Sequence, residues 1–243
     1  MTASGDKEKL ERRIVKRYRK ALSDYSLLAD SDKILVGVSG GKDSLCLLEM
    51  LGRTARIFKP KISVEAIHIR MENIRYETDT VWLEDFASRQ GVPLHIVTTR
   101  FDKQEGCRKP PCFLCSWYRR KAMLNLAQEL GCNKIALGHH MDDIIHTALM
   151  NTFFQGHFST MPVSLRLDKM PLTIIRPLCL VAEADIRQYA EMQGYEKQRM
   201  LCPHERETNR TVVGKMFEEL EKSNPEIRYS VWNALEADDK LIE

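Results

Sequence analysis

Residues 39–44, Ser-Gly-Gly-Lys-Asp-Ser, gather two glycines, a cation, a carboxylate and two hydroxyls in six positions. Glycines let successive backbone N–H groups close on phosphate oxygens, and a helix that starts after such a loop turns its positive end toward them. Ser39 and Ser44 can add hydroxyl donors, and Lys42 a point charge. The loop is not a Walker A sequence. That motif needs glycine where Val36 stands and Ser or Thr where Asp43 follows the lysine. Asp43 would repel a bare phosphate, so its presence calls for Mg²⁺ between the two. A tight turn capped by serine and glycine is the plainer alternative, and the strand–loop–helix context weighs against it.

A second constellation is Gly138-His139-His140-Met141-Asp142-Asp143. His139 and Asp143 are four apart, as are Asp142 and His146, so each pair could share a helical face. Two His and two Asp alone suggest a metallohydrolase; an Asp-capped helix start is the plainer alternative. The third is Cys112-Phe113-Leu114-Cys115, after two prolines and at the start of a predicted helix, which puts both sulfurs on one face. The positive end of a helix favours thiolate over thiol, the form that ligates metal or attacks sulfur. A lone C-x-x-C fits a redox pair, half a zinc site or two ligands of an iron–sulfur cluster. Cys202 is the remaining candidate ligand, and His204 could complete a Cys₃His zinc site. Cys46, Cys132 and Cys179 read as small buried hydrophobes, while Cys107 lies in a loop.

Ser-Gly-Gly-Lys-Asp-Ser after a first strand resembles the pyrophosphate-loop (PP-loop) signature of N-type ATP pyrophosphatases, which cleave ATP to AMP and pyrophosphate. That resemblance implies Mg²⁺-pyrophosphate on Ser39, Gly40, Gly41, Lys42, Asp43 and Ser44, with adenine near His68–Arg70. Gly-His-x-x-Asp-Asp is similar to the segment closing the nucleotide site of PP-loop tRNA-modifying enzymes. It implies that Gly138 permits close approach, His139 lies near the phosphates, and Asp142 or Asp143 holds Mg²⁺ or orients the site. With residues 112–156, "IIRPL" and the third-cysteine region, the chain resembles the tRNA 2-thiocytidine synthetase family over most of residues 8–235.

The family resemblance implies a [4Fe–4S] cluster on Cys112, Cys115 and Cys202 with one open iron position, and catalytic roles for Asp43 and these three cysteines. It further implies ATP, Mg²⁺ and tRNA, a sulfur donor (a cysteine desulfurase or sulfide) and a homodimer. Two features depart from the family pattern. Cys202 is followed by Pro-His-Glu where a second Cys-x-x-Cys is common, and "HIRMENIRYETD" lacks a glycine–proline segment. A PP-loop ligase or thiolase with zinc or redox thiols is the rival reading. A non-catalytic nucleotide- or RNA-binding protein is the rival of another class.

Strands and helices that alternate must position these groups. Apolar runs predict strands at 33–38, 61–70, 92–97, 133–138 and 172–178, with helices between them and near 182–193, 207–222 and 225–236. The pattern implies a doubly wound, parallel α/β sheet. The expected division is an N-terminal basic helix (1–30), an ATP-binding α/β domain (31–180) and a helical extension (181–243) carrying the third cysteine. The 243 residues are 43% hydrophobic and 29% charged, an ordinary globular balance. Net charge is only +3, yet residues 6–22 carry eight Lys and Arg against three acids. With Trp117-Tyr118-Arg119-Arg120-Lys121, that helix could supply phosphate contacts and base stacking. No secretory core or long apolar run is present, and seven cysteines suit a reducing cytosol, so a cytoplasmic, non-membrane protein is expected.

Overall fold

The computed structural model describes residues 3–57, 59–72, 74–76, 80–100, 110–197, 200–201 and 209–243. In chain order, α1 (Ala3–Asp24) leads to β1 (Lys33–Gly37), α2 (Lys42–Ala55), β2 (Ser63–Met71), β3 (Arg75–Tyr76) and α3 (Val81–Gln90). Then come β4 (Leu94–Thr99), α4 (Pro111–Glu129), β5 (Lys134–Ala136), α5 (Met141–Gln155), β6 (Ser164–Arg166) and β7 (Thr173–Ile175). The chain closes with α6 (Glu183–Gln193), β8 (Met200–Leu201), α7 (Asn209–Ser223) and α8 (Ile227–Ala237).

β1 is the centre of the sheet because Ile34, Leu35 and Val36 are buried whichever face they meet. The strand order is β4-β2-β1-β5-β7-β6. Register is parallel from β4 to β7, with Val36 opposite Ala66 on one side and Ala136 on the other. The expected doubly wound parallel sheet is present, with one edge strand added, β6, which runs antiparallel to β7. Three residues are too few for alternation to reveal such a strand. The order reverses between β1 and β5, so the segments leaving these two strands flank the crevice where doubly wound folds bind ligands. Both motifs lie there.

One core cluster fills one face of the sheet and joins α1 (Leu10, Ile14, Tyr18), α2, α5 and α6 to Phe217 and Trp232 of the last two helices. α4 covers the other face, packing Ala127 over Leu35, Ile67 and Ile135. The buried residues of α1 recur at 10, 14, 18 and 21, the stripe that seats an amphipathic helix. Among the described residues, no helix is long and apolar enough to cross a membrane.

Candidate nucleotide site and thiol pair

The loop after β1 is braced by its own serines. The Ser39 N–H donates to Ser44 Oγ (3.2 Å), Ser44 Oγ donates to the Gly41 carbonyl (2.9 Å), and the Gly41 N–H donates to Ser39 Oγ (3.2 Å). These hydroxyls, expected as phosphate donors, hold the loop open from within. Gly40 turns the chain at φ 82°, a left-handed conformation that favours glycine. Gly41 caps α2 with no side-chain acceptor, leaving a positive helix end with no competing side chain.

Lys42 Nζ lies 3.1 Å from Asp43 and 3.0 Å from Glu183 at the start of α6. Burial pulls the ammonium pKa down, but the Asp43 and Glu183 carboxylates outweigh it and raise it. Asp43 Oδ1 is buried and makes no hydrogen bond among the described residues. Its charged neighbours are Lys42 at 3.1 Å and His140 Nε2 at 3.7 Å. A buried carboxylate oxygen of this kind suits a divalent cation. Gly138 has a definite reason to be glycine. A Cβ there would lie 2.9 Å from the Asp43 carbonyl carbon and 3.0 Å from the Ser44 nitrogen, so the close approach it permits is by the α2 backbone.

The second motif is arranged differently from its spacing. α5 starts at Met141, so His139 precedes the helix and shares no helical face with Asp143. Its Nδ1 accepts a hydrogen bond from Arg176 Nε (3.3 Å), and burial together with that guanidinium lowers its pKa to about 4. His140 instead faces the acids, within 3.7 Å of Asp43 and 3.6 Å of Asp142 and Asp143. Burial opposes its protonation, but those carboxylates, Asp142 foremost, raise its pKa.

Asp142 is engaged at both oxygens, by Arg228 of α8 at one and by the Glu183 N–H (2.8 Å) at the other. Burial works against the carboxylate, but His140 and Arg228 hold its pKa well below the usual range. Asp143 accepts from the His140 N–H (3.1 Å) and pairs with Arg210 of α7. Asp43 is therefore the carboxylate of the three whose buried oxygen, among the described residues, has charged neighbours but no hydrogen bond. Among the described residues, no group of three or more His, Cys, Asp or Glu converges as a metal set. His140, Arg176, Glu183, Arg210 and Arg228 were missed by motif reading. Arg176 follows β7 and the other three come from three separate helices, while His140 could have been found from its place just before the helix.

His68, at the carboxyl end of β2, bonds through Nδ1 to the Val38 carbonyl (2.8 Å), while Nε2 is buried with no hydrogen-bond partner among the described residues. Burial, with Arg119 and Arg70 nearby, keeps its pKa lowered. Such an imidazole is neutral and offers a bare acceptor.

Cys112 and Cys115 occupy the first turn of α4 behind Pro110 and Pro111; Cys112 is exposed and Cys115 half-buried. Cys46, Cys132 and Cys179 are buried, and burial raises each thiol pKa, as small hydrophobes require. Cys107, Cys202 and His204 lie outside the described residues. An unanticipated two-stranded pairing bears on the third cysteine: β8 lies antiparallel to β3, Leu201 opposite Arg75 and Met200 opposite Tyr76. The Tyr76 hydroxyl accepts from the Met71 N–H (3.1 Å) and from Arg119 (3.2 Å), four residues beyond Cys115. The basic helix α1 spends part of its charge internally, with Arg13 on Asp185 (2.6 Å) and Arg17 on Tyr229 (3.1 Å). Arg12, Lys16, Arg19 and Lys20 stay exposed.

Comparison with known proteins agrees with this architecture. Residues 7–199 match the PP-loop domain family. A tRNA-cytidine(32) 2-sulfurtransferase of Francisella tularensis is 35% identical over 97% of this chain and 90% of its own length. The Bordetella avium enzyme of the same name is 35% identical over 93% and 73%. Among solved structures, the U34-tRNA thiolase NcsA of Methanococcus maripaludis, with its [4Fe–4S] cluster, superposes at TM-score 0.78 and 27% identity, covering 95% of this chain and 79% of that one. An NMN synthetase from Francisella tularensis, at TM-score 0.50 and 11% identity over 78% and 71%, shares the fold alone. With its phosphate loop after β1, its second motif after β5 and its paired thiols on α4, the chain belongs to the PP-loop family and, within it, to the tRNA-cytidine(32) 2-sulfurtransferases.

Proposed function

We propose that this protein thiolates a cytidine of the tRNA anticodon loop at the expense of ATP. The C2 oxygen attacks the α-phosphorus, pyrophosphate leaves, sulfide then adds at C2, and AMP departs with the original oxygen. The observation that carries the reading is a continuous link at the carboxyl edge of the sheet. Val38, just before the phosphate loop, bonds His68 of β2, and Tyr76, which accepts from the Met71 N–H of the same strand, also accepts from Arg119 of α4, one turn past Cys115. This link supports a reading in which activation and sulfur delivery take place at one edge of the sheet.

Asp43 would hold Mg²⁺ through its buried oxygen that makes no hydrogen bond among the described residues and, with Lys42 and the α2 N-terminus, stabilise the departing pyrophosphate. His68 Nε2 suits the amino group of adenine as acceptor. Gly138 packs against the Asp43–Ser44 backbone and His139 would lie near the phosphates, while Asp142 and Asp143 would orient the site through Arg228 and Arg210. Cys112, Cys115 and Cys202 would hold a [4Fe–4S] cluster, which when bound supplies an open iron position for the incoming sulfur. Support for the third ligand is indirect. β8, the strand before Cys202, pairs with β3, whose Tyr76 is bonded to the cysteine-bearing helix.

The sulfur donor in this reading is a cysteine desulfurase or sulfide, and the setting is the cytosol, where the exposed Cys112 stays reduced. A homodimer is supported by the exposed stripe Val212, Met216 and Leu220 along α7. The test is anaerobic reconstitution of the full chain with iron and sulfide, then incubation with ATP, Mg²⁺, sulfide and tRNA. Pyrophosphate release that depends on tRNA, with 2-thiocytidine in nuclease digests, is expected. Digests without a thiolated cytidine overturn the proposal.

A further inference from the structure

α4 turns an unusual face to solvent. From Pro111 to Gln128 it carries Arg119, Arg120 and Lys121 and no acid, Glu129 being the first carboxylate. Phe113 and Trp117, one turn apart on that helix, are 46% and 47% exposed. The other two tryptophans are placed otherwise: Trp232 is buried at 4%, and Trp82 stacks on Phe86 with centroids 5.0 Å apart. Trp117 is held in a fixed pose, edge-on to Tyr118 (4.9 Å) and with Lys121 Nζ 5.3 Å from its ring. A large ring pinned at the surface, beside cations and with no acid in reach along its helix, is matched to a partner that is both polyanionic and aromatic.

We infer that Trp117 is a stacking platform for an unpaired base of the RNA, with Lys121 and Arg120 taking the phosphates beside it. The inference rests on the tRNA-thiolation reading and deepens it. Helical geometry puts Trp117 and Phe113 on the outward face of α4, whereas Cys115 and Arg119 lie toward the sheet. The base stacked on Trp117 is therefore a neighbour in the loop, not the base that reacts. Duplex RNA hides its π-faces in its own stack, so the platform selects single-stranded segments.

The test measures binding of the full-length protein to two RNAs of equal charge, an anticodon stem-loop and a fully paired duplex, over a range of salt. Stacking on an aromatic contributes about 5- to 150-fold in affinity, so Trp117→Ala should weaken the stem-loop by that much and leave the duplex unchanged. Trp117→Phe should recover most of the loss, and unaltered thermal unfolding in both variants shows that the fold is intact. Lys121→Ala should instead lower the salt slope, by about 0.7–0.9 for each phosphate that the variant no longer neutralises. Equal weakening of both RNAs by Trp117→Ala, or of neither, overturns the platform. The two readings fail separately. Wild-type protein that thiolates tRNA with an unresponsive Trp117 leaves the reaction standing, and a Trp117-dependent stem-loop complex that yields no thiocytidine leaves the platform standing.

Discussion

Asp43 is the residue on which the nucleotide chemistry turns. An aspartate beside a bound phosphate is unfavourable unless a cation intervenes, and one buried oxygen of that aspartate has no hydrogen bond among the described residues. Asp43→Asn keeps the shape and removes the charge. Pyrophosphate release should fall by about 10²- to 10³-fold, with little change in thermal stability; a rate near wild type would take Asp43 out of metal binding. Gly138 makes a steric claim. Its missing Cβ leaves room for the Asp43–Ser44 backbone, which is far stiffer than a side-chain tip. Gly138→Ala should cost about 1–3 kcal/mol in urea unfolding through overpacking and should weaken ATP binding as the loop shifts. Retention of both properties would show that the loop is not seated against β5 as described.

Elements are tied together by polar contacts that sit away from the chemistry. At the opposite end of the sheet, Asp32 accepts from the Ala29 N–H (2.7 Å) and pairs with Lys134 of β5 (2.7 Å), both side chains being nearly buried. Burial pushes this carboxyl pKa upward, but Lys134, the Ala29 N–H and Asn133 outweigh it and leave it lowered. A lowered carboxyl contributes stability that is present above its unfolded pKa of about 3.9 and is lost as pH falls through the folded value. Asp32→Asn strands a buried lysine and should cost about 3 kcal/mol at pH 7. The difference from wild type should shrink below about pH 4, as the unfolded carboxyl takes up its proton, and level off once the native carboxyl follows at lower pH. Urea titrations at both pH values check this, and a constant difference would mean the pair does not titrate as argued.

The whole molecule is stitched together by its two ends. Arg228 and Arg210, from the last two helices, bind the acids of the motif after β5, and α1 docks on α6 through Arg13 and Asp185. The buried cluster runs without interruption from Leu10 to Leu241. Cooperative unfolding follows from such sharing. Ile14→Ala, at a fully buried site in α1, should lower global stability by about 2–5 kcal/mol. Fluorescence of the buried Trp232 in α8 and far-UV circular dichroism should then still report one transition. Two separated transitions would make α1 or the C-terminal helices an independent unit.

Local chemistry made much of this protein legible in its residues. Apolar runs located the central parallel strands and their helices, because burial on both faces leaves a mark at each of Ile34, Leu35 and Val36 in β1. Glycines, a lysine and an aspartate in one turn announced a phosphate loop that requires a cation, and two cysteines three apart announced a thiol pair. Tertiary structure alone decided which side chains those motifs would meet. His140 rather than His139 faces the carboxylates because α5 begins one residue after it. The serines of the loop brace one another, and Asp142 is engaged by an arginine 86 residues away. The edge strand β6 and the β3–β8 pair are too short to carry a periodic signal and exist only through their partners. Spacing along a chain reports which groups can share a turn of backbone; which distant charges will neutralise them depends on the packing of the finished molecule.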